Sequence, residues 1–344
     1  MQNIPSKAIE TGDALLAHED VREREQEILA DIKSKTGFDV DEVIWRSDYL
    51  GTGRIGAINY RGSYEGKSAV LKVQGVKPAL SEFFMIGEFR KQNKSKTIRP
   101  PHIYRHLPWD QDRQYEAFLM ESVIGGKVVE SGKLLTGAEI APFFEIYKEY
   151  KRNCITKPWL PRPTQDTMDE LVKRVKELMK EVKPNSPLRQ PGDFDLAMEA
   201  VAVLKEVWKD EGLEFVHGHF SVEDLMRQDN EVVLFSNLFW KWKNPFYDLV
   251  FGYHWEMYSL GRVAEITLDL VDSQRMMWLT IIRQTADEIR PDRGRVLADA
   301  ALLERSIAGL LLDGHAYLDE KTQIAKYLIE ETRKQLVSLT EALR

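Results

Sequence analysis

The 344-residue chain holds a single cysteine, Cys154. One thiol cannot close an intramolecular disulfide and cannot build a cysteine-rich zinc site. No window carries the roughly 18 consecutive apolar residues that span a bilayer. The most apolar stretch, Ala300 to Leu312, is broken by Glu304, Arg305 and Ser306. The first residues, MQNIPSKAIETGDALLAHEDVRERE, lack an apolar core of signal-peptide length. A basic excess is missing too: 48 Lys and Arg face 55 Asp and Glu, a formal charge of −7. That balance is the reverse of what a nucleic-acid surface needs. Repeats and low-complexity tracts are absent. The expectation is a soluble, cytoplasmic protein with neither nucleic acid nor membrane as a partner. Hydrophobic residues make up 43%, enough to bury a sizeable core and to exclude a disordered chain.

What is present changes character along the chain. Residues 6–35 are rich in helix formers, with Gly37 as a stop. From about 43 the pattern changes: residues 43–49, 55–61 and 68–74 read as strands, separated by the turn chemistry of GTGR and SYEGK. A helical pattern follows over 78–93, then strands over 102–106 and 117–123, and Gly125–Gly126 breaks the chain. Helices are expected near 137–152, 166–182 and 193–210, and again through 247–342. A short β-like island lies between them, from Phe215 to Phe239. The organisation is an N-terminal helical extension (1–40), a β-rich lobe (41–124) and a helical lobe (125–344). A β-rich lobe before a helical one makes an α+β fold and excludes the βαβ alternation of a doubly wound sheet.

Gly51, Gly53 and Gly56 form G-T-G-R-I-G. A dinucleotide-binding loop would open a helix, yet the following AINYRGSYEGKSAVLKV reads as two strands and a turn. That is the setting of a kinase glycine-rich loop, whose amides approach phosphates without interference from a Cβ. Ala69-Val70-Leu71-Lys72 matches the kinase strand in which a lysine meets the nucleotide phosphates and a helix glutamate. Glu82 and Glu88 are the candidate glutamates. Residues Tyr115 to Gly126, YEAFLMESVIGG, carry an apolar run ending in Met-Glu and then glycines.

Together these segments resemble the aminoglycoside phosphotransferases, a family with a bilobal protein-kinase-like fold. The resemblance implies ATP as cofactor, with Gly51, Gly53, Gly56 and Lys72 at its phosphates and the backbone of Glu121 to Val123 at its adenine edge. It favours Glu88 over Glu82 as the partner of Lys72, on the family's spacing. It also implies a small-molecule acceptor, although no portable motif names one.

The resemblance breaks where the chemistry belongs. The family's catalytic loop reads His-Gly-Asp, then four residues, then Asn. Here VHGHFSVEDL keeps His217 and Gly218, but His219 stands at the catalytic Asp and Asp224 at the metal-binding Asn. The closing Pro-x-Tyr-Asp-Leu is intact as Pro245 to Leu249, and counting back from Asp248 places Ser236 at the magnesium-binding Asp. Serine is a weak neutral ligand where Mg²⁺ prefers carboxylates, so Asp224 and Ser236 are expected to hold Mg²⁺ weakly or not at all. These departures imply a nucleotide-binding pseudokinase or an atypical phosphotransferase. The alternative is an active enzyme in which His219, an imidazole able to accept a proton near neutrality, works with Asp224. Two rivals stand beside these. His217-x-His219 with Asp224 permits a metal-dependent hydrolase, completed from His254, His315 or Asp248. A non-enzymatic module could bind a protein partner through FWKWKNPFYD (239–248), although Trp240, Trp242 and Phe246 also read as core alternating with solvated lysines.

Overall fold

Alternation along one strand sets the first layer. In Lys67–Gln74, Ala69, Leu71 and Val73 are buried on one side, and Lys72 projects to the other. The computed structural model describes residues 16–17, 21–48, 54–75, 77, 79–263 and 265–344. The chain divides into two units: residues 1–91 with 100–124, and residues 92–99 with 125–344.

The first unit is an antiparallel sheet. Its strands are β1 (Leu16–Ala17), β2 (Asp39–Asp48), β3 (Arg54–Tyr64), β4 (Lys67–Gln74), β6 (Ile103–Asp110) and β7 (Tyr115–Glu121). The order is β1-β3-β4-β7-β6, with β2 also paired to β3. Helix α1 (Val21–Thr36) sets Ile28 and Ile32, one turn apart, against Ile58, Leu71, Ala117 and Leu119 on one sheet face. Helix α2 (Glu82–Gln92) buries Glu82, Met85, Ile86 and Phe89, a single helical stripe. The helix expected over 6–35 is corrected at its start: Leu16–Ala17 pairs with Arg54–Ile55 as a strand, and the described helix begins at Val21.

The second unit is mostly helical: α3 (Gly137–Asn153), α4 (Thr167–Leu178), α5 (Asp193–Trp208), α6 (Tyr247–Leu260), α7 (Leu268–Ile289), α8 (Gly294–Ala308), α9 (Gly314–Tyr317) and α10 (Gln323–Ala342). A capping box joining Thr136 and Glu139 starts α3. Its buried face, Ile140, Phe143, Phe144, Tyr147 and Tyr150, meets Phe220 and Trp278 in an aromatic core. Two small sheets hold the chemistry-bearing loops. In one, β10 (Glu231–Leu234) lies between β9 (Leu225–Gln228) and β5 (Ile98–Arg99); in the other, β8 (Glu214–Val216) pairs with β11 (Lys241–Lys243). Gly125 opens the segment that runs beside β9, and a Cβ there would lie 2.2 Å from the Arg227 carbonyl oxygen. No helix among the described residues is long and apolar enough to cross a membrane.

Candidate active site

In the first unit, Lys72 Nζ lies 2.6 Å from Glu82 Oε2, with both side chains largely buried. Gln74 Nε2 donates to the same oxygen at 3.2 Å, and the Lys72 ammonium sits 5.8 Å from the centre of the Phe118 ring. Glu82, not Glu88, is therefore the partner of Lys72. Glu88 pairs instead with Lys91 of its own helix. The helix begins at Glu82, so its first residue is the one aimed at the strand. Counting residues from the lysine, as the family spacing invites, overshoots it.

Gly51 and Gly53 lie outside the described residues. Gly56 lies within β3, and its amide, with that of Ala57, donates to Ser47 Oγ at 2.9 and 2.7 Å. This departs from the expectation that Gly56 offers its N–H to a phosphate. Glu121 ends β7, its amide donating to the His102 carbonyl and its carboxylate accepting from the His102 amide. Val123 follows just beyond the strand.

In the second unit, the retained motif explains itself through Asp248. This buried carboxylate accepts from the amides of His217 (2.9 Å) and Gly218 (2.8 Å) and from the Tyr150 hydroxyl (2.8 Å). The first turn of α6 thus holds the loop at 217–219 by its backbone. Gly218 has φ +80°, and a Cβ there would fall 2.4 Å from the Phe239 carbonyl oxygen, so only glycine fits.

That loop brings the three altered positions together. His219 Nδ1 donates to Asp224 Oδ2 at 2.9 Å, the Ser221 hydroxyl to the same oxygen at 2.5 Å, and the Ser236 hydroxyl to Asp224 Oδ1. Burial alone would raise the Asp224 pKa. The His219 ring, His217 and the Ser221 hydroxyl outweigh it and hold the carboxyl below its usual value. Ser236 adopts the left-handed conformation, φ 58°, a geometry that clusters at functional sites. The His219 ring stacks on Phe239 and packs against Phe251 and Trp255. Sequence reading missed Ser221 and Phe239, which carry no signal beyond ordinary loop chemistry.

His217 is fully buried, edge-on to Trp240. His254 and His315 are buried elsewhere in the unit, His315 bonding Ser186. Among the described residues, no three His, Cys, Asp or Glu side chains are placed to share a metal ion, so the hydrolase reading finds no geometry. Burial presses His217 down to about 3, His315 to about 4, and His254 well below its ordinary value. An unfolded chain protonates these rings near pH 6.5. The unfolded state therefore binds more protons than the folded one as pH falls below 6.5, and stability is lost across that window. Glu256 opposes this: burial raises its carboxyl to about 7, so the folded form takes up a proton first and regains the equivalent of one histidine. The expected net loss is roughly 3 kcal/mol per pH unit between pH 6 and 5, read as a steep fall in thermal midpoint. A flat midpoint across that range would contradict the buried, neutral rings.

No family profile and no curated protein sequence matches the chain. Solved structures do. Choline kinase from Cryptosporidium parvum Iowa II aligns at TM-score 0.59 and 13% identity, over 92% of this chain and 97% of that one. The aminoglycoside phosphotransferase APH(4)-Ia aligns at 0.57 and 10% identity, over 92% and 99%. Amicoumacin kinase hAmiN, solved in complex with AMP-PNP, Ca²⁺ and Ami, aligns at 0.55 and 15% identity, over 93% and 96%. These alignments, each over nine-tenths of the chain, give this antiparallel sheet followed by a helical unit the kinase-like fold of aminoglycoside phosphotransferases and choline kinase.

Proposed function

We propose that the chain is a cytoplasmic, kinase-like nucleotide-binding protein whose phosphoryl transfer is slow or absent: a pseudokinase or a strongly atypical phosphotransferase. The observation that carries this reading is the closure of Asp224. Its two oxygens already accept from His219, Ser221 and Ser236, and the trio holds no second carboxylate. Mg²⁺ demands near-octahedral oxygen ligation and usually takes it from carboxylates, phosphates and water. Here a metal would have to displace three hydrogen bonds and sit against an imidazole. The donor set fits magnesium poorly.

ATP binding is supported by the Lys72–Glu82 pair and by the nucleotide complexes of the similar proteins, with ADP in one and AMP-PNP in others. Glu82 takes the place first given to Glu88, and the backbone at Glu121 to Val123 is the proposed adenine edge. Saturating ATP at about a hundred times its Kd should stabilise the chain by about 2.7 kcal/mol, a rise of several degrees. The paired variant Lys72→Met with Glu82→Gln removes both charges without stranding either, and it should lose that rise while staying folded.

A second reading is favoured by one contact. The ionised Asp224 carboxylate holds His219 through Nδ1, the arrangement in which a carboxylate orients a histidine as general base. Metal-dependent ATP consumption decides between the two readings. Robust turnover that disappears in His219→Ala and Asp224→Ala would sink the pseudokinase reading.

A further inference from the structure

The lysines of FWKWKNPFYD do not simply alternate with core as solvated charges. The β8–β11 pairing sets Lys241 opposite Val216 and folds its side chain against the catalytic-loop backbone, where a Cβ on Gly218 would meet Lys241 Cε at 2.6 Å. Three cations surround the buried Tyr247 ring: Lys241 Nζ 5.3 Å from its centre, Lys243 Nζ 4.9 Å and the Arg305 guanidinium 5.8 Å. Arg305 is neutralised by Asp313 at 2.7 Å, and Lys243 lies 3.5 Å from Glu304. Glu304 is itself shared with Asn244. Half-buried Lys241 makes no ion pair among the described residues. A sheltered ammonium without a counter-charge is costly, and a ring face returns only part of that cost.

We propose that Lys241, beside Gly218 and over Tyr247, is the anchor for an oxyanion, a carboxylate or phosphate monoester, borne by the small molecule that this unit binds. The partly filled charge balance is the reason: of the three cations around Tyr247, Glu304 and Asp313 leave one, Lys241, for one more negative group to match. Burial, helped by the neighbouring Lys243, Arg174 and Arg305, presses the Lys241 ammonium down to about 8 against the opposing pull of Tyr247. Lys241, Arg305 and Lys243, outweighing burial, bring the Tyr247 hydroxyl down to about 8. The Tyr247 shift reports the positive charge gathered around its ring. Phe251, which packs on His219 and carries Arg305 5.1 Å from its centre, supplies an apolar wall beside the cations. The chemistry therefore selects an anion with an apolar body and repels a cationic amine. Naming this molecule the acceptor rests on the kinase-like reading above; the anion site does not.

The test is calorimetric titration of the purified chain with phenyl phosphate, inorganic phosphate and a cationic aminoglycoside, each with and without saturating AMP-PNP. Phenyl phosphate should bind at least tenfold more tightly than the aminoglycoside and should still bind when AMP-PNP is present. Lys241→Met should weaken it by tenfold or more at an unchanged circular-dichroism spectrum, and Lys241→Arg should stay within about threefold of the parent. Equal binding by Lys241→Met, tighter binding of the aminoglycoside, or displacement of phenyl phosphate by AMP-PNP would each overturn the proposal. The last would mean that the cations hold the nucleotide's own phosphates. Parallel ATP titrations of the Lys72→Met/Glu82→Gln variant test the nucleotide reading separately, so either reading can fail while the other stands.

Discussion

Asp248→Ala is expected to lower the thermal midpoint by roughly 10 °C. The carboxylate is buried and takes three hydrogen bonds, two of them from the backbone amides of His217 and Gly218. Removing it strands the Gly218 amide and the Tyr150 hydroxyl proton away from water, while the His217 amide keeps its bond to the Tyr150 oxygen. Each stranded group costs about 1–3 kcal/mol, so a total of about 2–6 kcal/mol follows, at roughly 2–4 °C per kcal/mol. Asp248→Asn keeps one accepting oxygen and should fall between parent and Ala. Glu145→Ala, on the exposed side of α3, should change the midpoint by less than about 1 °C. A loss of only one or two degrees in Asp248→Ala would mean that the loop at 217–219 is held by something else.

Ser236→Asp should convert a chain indifferent to magnesium into one that responds to it. Ser236 donates directly to Asp224, so an aspartate there puts two carboxylates within contact distance. Like charges about 4 Å apart repel by about 4 kcal/mol at the effective dielectric of a protein surface. Without metal, the variant should therefore melt several degrees below the parent, or take up a proton to relieve the repulsion. Asp tolerates the left-handed conformation at this position better than most residues, so the backbone need not move. Millimolar Mg²⁺ should restore the variant and leave the parent unchanged. A parent midpoint that rises with magnesium as much as the variant's would show that Asp224 already holds the metal.

Much of the fold is written in local periodicity. Strands β3 and β4 follow from strand-like runs that leave Ile58, Leu71 and Val73 buried, β7 from a short apolar run buried along its length, and the helices of the second unit from apolar faces such as Ile140 to Tyr150. Those patterns depend on neighbours one to four residues apart. Short elements escaped: β5 has two residues and β11 three, too few to show a period. Lys241 and Lys243 in β11 looked like solvated charges between core aromatics, because nothing nearby in sequence reveals Arg305 and Tyr247.

The sequence by itself determined the order of strands and helices, the Lys72 strand, the position of the His217–Gly218 loop and the loss of two expected carboxylates. Local spacing encodes all of these. Only the tertiary structure decided which charges meet. It chose Glu82 over Glu88 because the helix starts at residue 82. It gave the Gly56 amide to Ser47, closed Asp224 with three donors, and left Lys241 without a carboxylate. Electrostatics acts over a few ångströms of space, and residues that close are often dozens of positions apart along the chain.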